Sequence, residues 1–278
     1  MITGISPADE ASPAVRSRAS VAARDRIGRV ALGLLGVGLV LALWQLLTVT
    51  KVLDPSAVPT MTETLHRLWQ ALGTGRLWAA VGQTLEGMAV GFALGSAAGI
   101  LVGALLGASS FAYRSSFLVV EFFKTIPVIT LLPLAVLLFG TTLKMKVLVV
   151  VFGVFFPTVI QTIYGVRSVD PVIRDTATAF GLKRRARLLT VTIPSAAPYL
   201  ATGLRLGATA ALLLDVVAEL VAGGSGLGLQ ILQGEAGGAI SYSYALIILT
   251  GTIGVLLVVG LTAVERRVLR WHELYRGR

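Results

Sequence analysis

Residues 30–49, VALGLLGVGLVLALWQLLTV, carry no charge, and five further apolar stretches of similar character follow. A helix rises about 1.5 Å per residue, so roughly 20 apolar residues match the hydrocarbon core of a bilayer. The spans read from the sequence are about 30–50, 79–107, 113–139, 145–165, 197–222 and 243–264. Charged residues make up 14% of the chain, where a soluble domain has about a quarter. The expected fold class is an all-α membrane protein with about six transmembrane helices. The first run is too long for a signal-peptide core and lacks a convincing small-residue cleavage site, so it reads as a retained helix.

The charges between the runs orient the chain. Seventeen Lys and Arg residues fall on one side: Arg16 to Arg29, Arg114, Arg167 to Arg187 and Arg266 onward. The other side receives five, namely Lys51, Arg67, Arg76, Lys144 and Lys146, while Lys124 and Arg205 lie inside spans. Positive loops stay in the cytoplasm, which places both termini there. The net charge of +10 is explained by these loops and not by nucleic acid, because no aromatic residues interleave the basic clusters. Residues 1–28 read as a disordered basic cytosolic tail. Residues 29–266 form the membrane domain with a cytoplasmic loop at 166–196, and residues 267–278 form a second basic tail. There is no cysteine, and His66 and His272 are the only histidines, so no metal site is expected.

Within the spans, Gly87, Gly91, Gly95, Gly99, Gly103 and Gly107 recur every fourth residue. Five such steps cover roughly 30 Å, a full membrane crossing. A seam without side chains lets a neighbouring helix approach closely and favours a right-handed crossing. In the third span, Pro127 and Pro133 each remove a backbone donor. Broken helices survive in membranes where neighbours or a wet cavity satisfy the freed carbonyls, so a substrate pathway or an ordinary packed kink is expected here. Glu121 and Lys124 can pair at i, i+3 near the cytoplasmic interface.

The fifth span holds two carboxylates, Asp215 and Glu219, one turn apart. Something must offset their repulsion: a wet cavity, a cation, protonation or a partner's donor. One expectation is that Asp215 faces the translocation pathway and disfavours purely anionic solutes; the other is a polar contact across a dimer seam. Glu86 reads as a surface residue, and Arg205 as snorkelling to the interface. Gly223, Gly224, Gly226 and Gly228 read as a flexible outer re-entrant loop, part of a gate or of a docking surface.

Between the fourth and fifth spans lies SVDPVIRDTATAFGLKRRARLLTVTIPSAAPYL, residues 168–200. Asp170 can cap a helix whose first residue is Pro171. The helix should stop near Phe180, because Gly181 suits the left-handed position after a helix end. Ile173, Ala177 and Phe180 share one face, an apolar ridge followed by Lys183, Arg184, Arg185 and Arg187. Such a helix fits a groove on a partner protein or the lipid interface.

This loop resembles the signature of the permease subunits of bacterial ATP-binding-cassette (ABC) importers, most of all the branch handling sulfonates, taurine and nitrate. That signature is Glu-Ala-Ala, three residues, Gly, nine residues, then Ile-x-Leu-Pro. Here it reads Asp175-Thr176-Ala177, three residues, Gly181, nine residues, then Val191-Thr192-Ile193-Pro194. Ile126-Pro127 with Leu132-Pro133, Phe155-Phe156-Pro157, Gly165 to Asp170, Gly203-Leu204-Arg205, and Ala218-Glu219 leading to Ser225-Gly226-Leu227-Gly228 are similar to the same branch.

The resemblance implies a type I ABC-importer permease fold and a coupling helix at 171–180 that docks on a separate ATPase. It also implies a pair of permeases, two cytoplasmic ATPase subunits carrying ATP and Mg, and an extracytoplasmic solute-binding protein. The chain has no phosphate-binding Gly-Lys loop of its own. It also lacks a nucleophile–base pair, so it reads as a transport subunit, not an enzyme. The competing reading is a proton-coupled secondary transporter using Asp215 and Glu219, which would normally show inverted repeats and more spans.

Overall fold

The computed structural model describes residues 13–271, and among them every regular element is helical. The chain divides into two units, residues 1–64 and 65–278. In the first, α1 (Pro13–Val49) contains the apolar stretch Ala31–Val49, long enough to cross a membrane. After it the chain folds back. The Trp44 indole N–H donates to the Pro59 carbonyl (3.1 Å), and the Thr62 N–H donates to Gln45 Oε1 (3.2 Å). The helix already starts at Pro13, so residues 13–28, expected as an unstructured tail, belong to α1. Ala and Arg are strong helix formers, and no glycine interrupts them before Gly28. Residues 1–12 and 272–278, the outer parts of both expected tails, lie outside the described residues.

α2 (Met61–Leu72) leads into the second unit, whose helices are α3 (Gly75–Ala108), α4 (Ser110–Lys124), α5 (Leu132–Phe139), α6 (Leu143–Arg167), α7 (Pro171–Ala179), α8 (Arg184–Arg187), α9 (Ile193–Ala222), α10 (Leu227–Ala236) and α11 (Ile240–Val268). The glycine stripe of α3 lies along α6. Gly91, Gly95, Gly99, Gly103 and Gly107 face Val150, Val154, Thr158, Thr162 and Val166, a four-residue step on both helices. A Cβ added to Gly103 would sit 2.6 Å from Thr162 Cβ and 2.7 Å from the Val159 carbonyl oxygen. The threonine hydroxyls are turned away, Thr158 Oγ1 donating to the Val154 carbonyl and Thr162 Oγ1 to the Thr158 carbonyl. Their methyl groups therefore meet the glycines.

This register shows that α3 and α6 run parallel, since Gly91 meets Val150 and Gly107 meets Val166. The chain between them must return across the layer. It does so through α4, a 3₁₀ turn (Val128–Leu131) and α5, with the two halves bent by 80°. The expected third span at 113–139 is therefore a broken crossing and not one kinked helix. Pro127 lies at the break, whereas Pro133 sits in the first turn of α5, where its missing donor costs nothing. Gly165 against Ala196, Gly207 near Val154 and Gly153 against Leu214 set α9 antiparallel to α6. Four full-length helices and Ala31–Val49 are long and apolar enough to cross a membrane, and the bent pair brings the number to as many as six among the described residues.

Leucine at position 103 is expected to cost at least about 1–3 kcal/mol through overpacking against α6. Gly82→Ala, which meets no atom within 4 Å, is expected to stay within about 0.5 kcal/mol of the wild type. Thermal unfolding of both variants in one detergent checks the pair.

Candidate functional site

Three constellations lie along the helices of the second unit. The first, at the N-terminal end of α6, is a buried charge cluster. Lys146, in the first turn of α6, is 1% exposed, and Asp215 and Glu219 of α9 are both 0% exposed. The Lys146 ammonium contacts Glu219 Oε1 at 2.6 Å and Asp215 Oδ2 at 3.5 Å. It also donates to the carbonyls of Gln83 and Ser225, each at 3.0 Å. Its three donors thus reach α9, α3 and the loop before α10. Thr84 Oγ1 lies 3.0 and 2.9 Å from the two Glu219 oxygens, the Leu227 N–H donates to Thr84 Oγ1, and the Gly228 N–H donates to Glu219 Oε2 (2.9 Å).

Glycine makes this cluster possible in two places. Gly87, the first of the α3 stripe, faces the Asp215 carboxylate instead of α6, and a Cβ there would collide with it. Gly226 has φ of +144°, and any side chain would overlap the Glu219 carboxylate. A buried carboxylate without a cationic partner is costly. Lys146 offsets that cost for Glu219 by direct contact, while the Asp215 oxygens have the ammonium nearby but no hydrogen bond.

The second constellation is the break between α4 and α5. Thr125 closes α4, its N–H and hydroxyl both directed to the Phe122 carbonyl, and the Ile126 N–H donates to the Phe123 carbonyl. Beside the break is a cavity of about 420 Å³, walled by Phe123, Lys124, Thr125, Phe156 and Gln161 among others. Phe156 and Pro157 fall within two residues of the middle of α6, and Leu206, also on the wall, within two of the middle of α9. The cavity is therefore at the mid-depth of the spanning helices. Lys124 pairs with Glu121 at 2.7 Å, and its side chain stays 37% exposed. Lys124 borders the cavity, while Glu121 lies against Ile163 and Tyr164 in the last turns of α6.

The third is the loop after α6. Asp170 caps α7 by accepting from the Val172 N–H (2.8 Å), with Pro171 at the first helical position. The helix closes in a Schellman motif: Gly181 N–H to the Thr178 carbonyl and Leu182 N–H to the Ala177 carbonyl, with Gly181 at φ +71°. Ala177 is buried, whereas Val172, Ile173 and Phe180 are exposed, Phe180 at 81%. The expected ridge is thus split, Ala177 anchoring the helix while Ile173 and Phe180 stand free. Arg187 Nη1 donates to Thr178 Oγ1 (2.9 Å), tying the basic stretch to α7. A π-helical turn, Leu188–Thr192, precedes Ile193 and Pro194.

Residues 95–270 match the family of binding-protein-dependent transport system inner membrane components. The chain belongs to this family. The putative aliphatic sulfonates transport permease protein SsuC of Escherichia coli (strain K12) is 31% identical over 247 residues, 89% of this chain and 94% of that protein. The riboflavin transport system permease protein RibX of Chloroflexus aurantiacus is 34% identical over 268 residues, 95% of this chain and 97% of that protein. Among solved structures, a chain of the MetNI methionine ABC transporter in an inward-facing conformation has a TM-score of 0.58 at 22% identity. It covers 70% of this chain and 95% of that one, a likeness of fold. The protein is thus an ABC importer permease, a transport subunit and not an enzyme.

In the permease, the structure brings Asp215, Glu219, Gly226 and Gly228 together, but around Lys146 and away from any open surface. Asp215 was expected on a pathway wall or a dimer seam; its burial inside one protomer corrects both placements. Lys146 was read as an outer-loop residue, and this is the functional side chain that sequence reasoning missed. The available signal was two acidic residues at one end of a span with two lysines, Lys144 and Lys146, at the matching end of another. Arg205, its side chain 35% exposed, pairs with Glu265 in the last turn of α11 at 3.1 Å. Glu86 is exposed, as expected. The glycine-rich segment leads into α10, with Leu227 and Ile231 in the core.

Replacing Lys146 with Met strands Glu219 and is expected to destabilise the permease by about 3–5 kcal/mol. Adding Glu219→Gln and Asp215→Asn removes the stranded charges and should restore more than half of that loss. Denaturant unfolding of the single and triple variants measures both.

Proposed function

We propose that the permease forms the translocation pathway for a small polar solute and is driven by a separate ATPase through α7. The observation that carries this reading is α7 itself. It is a nine-residue helix fixed at both ends by its own caps, anchored by Ala177 and presenting Val172, Ile173 and Phe180 outward. An apolar ridge standing clear of its own protein needs a partner groove. Its position at the α6–α9 connection lets a push on the peg reach both helices. Asp175, Gly181, Ile193 and Pro194 belong to this coupling segment, and the charge bias of the loops supports a cytoplasmic position for it and for both termini.

The assembly that fits is a pair of permeases, identical or paralogous, with two ATPase subunits that hold ATP and Mg, and an extracytoplasmic binding protein. Pro127 and Pro133 mark the pathway at the broken span. Gly226 and Gly228, held to Glu219, belong to the gate at the opposite end from α7. The names of the relatives cite aliphatic sulfonates and riboflavin, which favours a small organic solute. The full pairing of Glu219 with Lys146 speaks for a structural role and against a proton-coupled carrier.

Reconstitution with the ATPase and binding protein tests the reading. Gly181→Pro cannot hold the left-handed backbone, and Phe180→Asp removes the ridge, so each is expected to lower ATP-driven uptake at least about tenfold, the scale of 1.4 kcal/mol of lost coupling, while the chain still inserts. Asp175→Lys should behave likewise. Uptake driven by a proton gradient with the ATPase omitted would sink the proposal.

A further inference from the structure

The cavity at the broken span carries chemistry that identifies a class of solute. We propose that it is a binding site for an organic anion, with Lys124 as the anchor of the acidic group and the Phe123–Phe156 pair as the seat of its apolar body. This rests on the reading of the permease as a translocation subunit and adds to it the solute class and the residues that select it.

Location is the first ground. The cavity lies level with the middles of α6 and α9, where discontinuous helices of transporters place their sites. Its volume of about 420 Å³ lies within the range of about 300–1,000 Å³ for small-molecule pockets. An ionisable side chain kept at this depth calls for a function, and Lys124 is kept there without being locked in place. It is more than a third exposed, with Glu121 taking one bond from an ammonium that has three donors.

The remainder of the wall is the second ground. Its polar side chains are Lys124, Thr125 and Gln161, so it has one cation and no carboxylate. Phe123 and Phe156 stack with centroids 6.2 Å apart and planes within 7°, a flat apolar surface beside the cation. A sulfonate or carboxylate joined to an aliphatic or aromatic body satisfies both halves. A cation would find no carboxylate on the wall, and a neutral alcohol would leave Lys124 to Glu121. Glu121, outside the cavity wall, keeps the ammonium balanced between solutes, and the solute's acidic group replaces it during passage.

The test uses the full chain in nanodiscs, without ATPase or ATP, titrated with pentanesulfonate, benzenesulfonate, pentanol and pentylamine by saturation-transfer NMR. Both sulfonates are expected to bind, and the alcohol and amine are not. Lys124→Gln should weaken sulfonate binding at least about tenfold, as the loss of a charge-assisted contact predicts. Lys124→Arg should retain it within about threefold, since the charge is kept. Glu121→Gln, which removes the competitor, should bind at least as tightly as the wild type. Equal binding of alcohol or amine, no binding by any compound, or unchanged affinity in Lys124→Gln would overturn the proposal. Because no ATPase is present, failure of the α7 variants to lose uptake would refute the coupling while leaving this result intact.

Discussion

The contact between α3 and α6 is the constraint on which the rest of the permease depends. In lipid, two apolar helices gain nothing by leaving an apolar solvent, so close packing must hold them together. Glycine at every fourth position of α3 lets α6 come within reach of the backbone along five successive turns. The parallel register of this pair dictates that the intervening chain cross back. That return path is the segment that breaks at Thr125–Pro127. A rigid two-helix spine and a discontinuous helix beside it are therefore consequences of one packing choice.

Charge fixes one end of the spine. Lys146 joins α6 to α3, to α9 and to the loop leading into α10 by contacts to Gln83, Glu219 and Ser225. Burying an ion pair is a weak source of net stability, because desolvation offsets most of the attraction. Its value here is positional. The carboxylate of Glu219 also holds the Gly228 N–H at the start of α10, so the glycine-rich segment has one defined conformation at this end. At the other end, α7 is fixed by its own caps and leaves its apolar ridge outward. The two ends are thus built for different purposes, one for internal fixation and one for contact.

Much of this was legible in the sequence, and the failures have a common cause. The spans, the glycine seam and the caps of α7 depend on local pattern: run length, a four-residue repeat, Asp170-Pro171 at one end and Gly181 at the other. The structure matches them to within a few residues, and Gly181 takes the positive φ that its position required. What pattern could not supply was partnership between distant segments. Asp215 and Glu219 needed a cation, but Lys146 lies 69 and 73 residues away in sequence and borders a loop, so counting charges by side assigned it to solvent. α10 was missed for a similar reason. Its glycine content hides a helix that exists because Leu227 and Ile231 are received by the core. The two prolines of the third span were given equal weight, although only Pro127 lies where the backbone has no helical continuation.

The two lysines buried to different extents show how one residue type is set to different tasks. Lys146 is enclosed, and each of its three donors has an acceptor supplied by a different part of the fold; no solute could take one without leaving a buried group unpaired. Lys124 has a single carboxylate partner three residues earlier on the same helix, and its side chain opens on a cavity. Both side chains of this pair stay more than a third exposed, so another acid can take the place of Glu121 without leaving a buried group unpaired. A site that must bind and release during each cycle requires this weak, replaceable partner, and a fixed joint requires the strong one. The permease holds both within a single protomer, one at the N-terminal end of α6 and the other beside its middle.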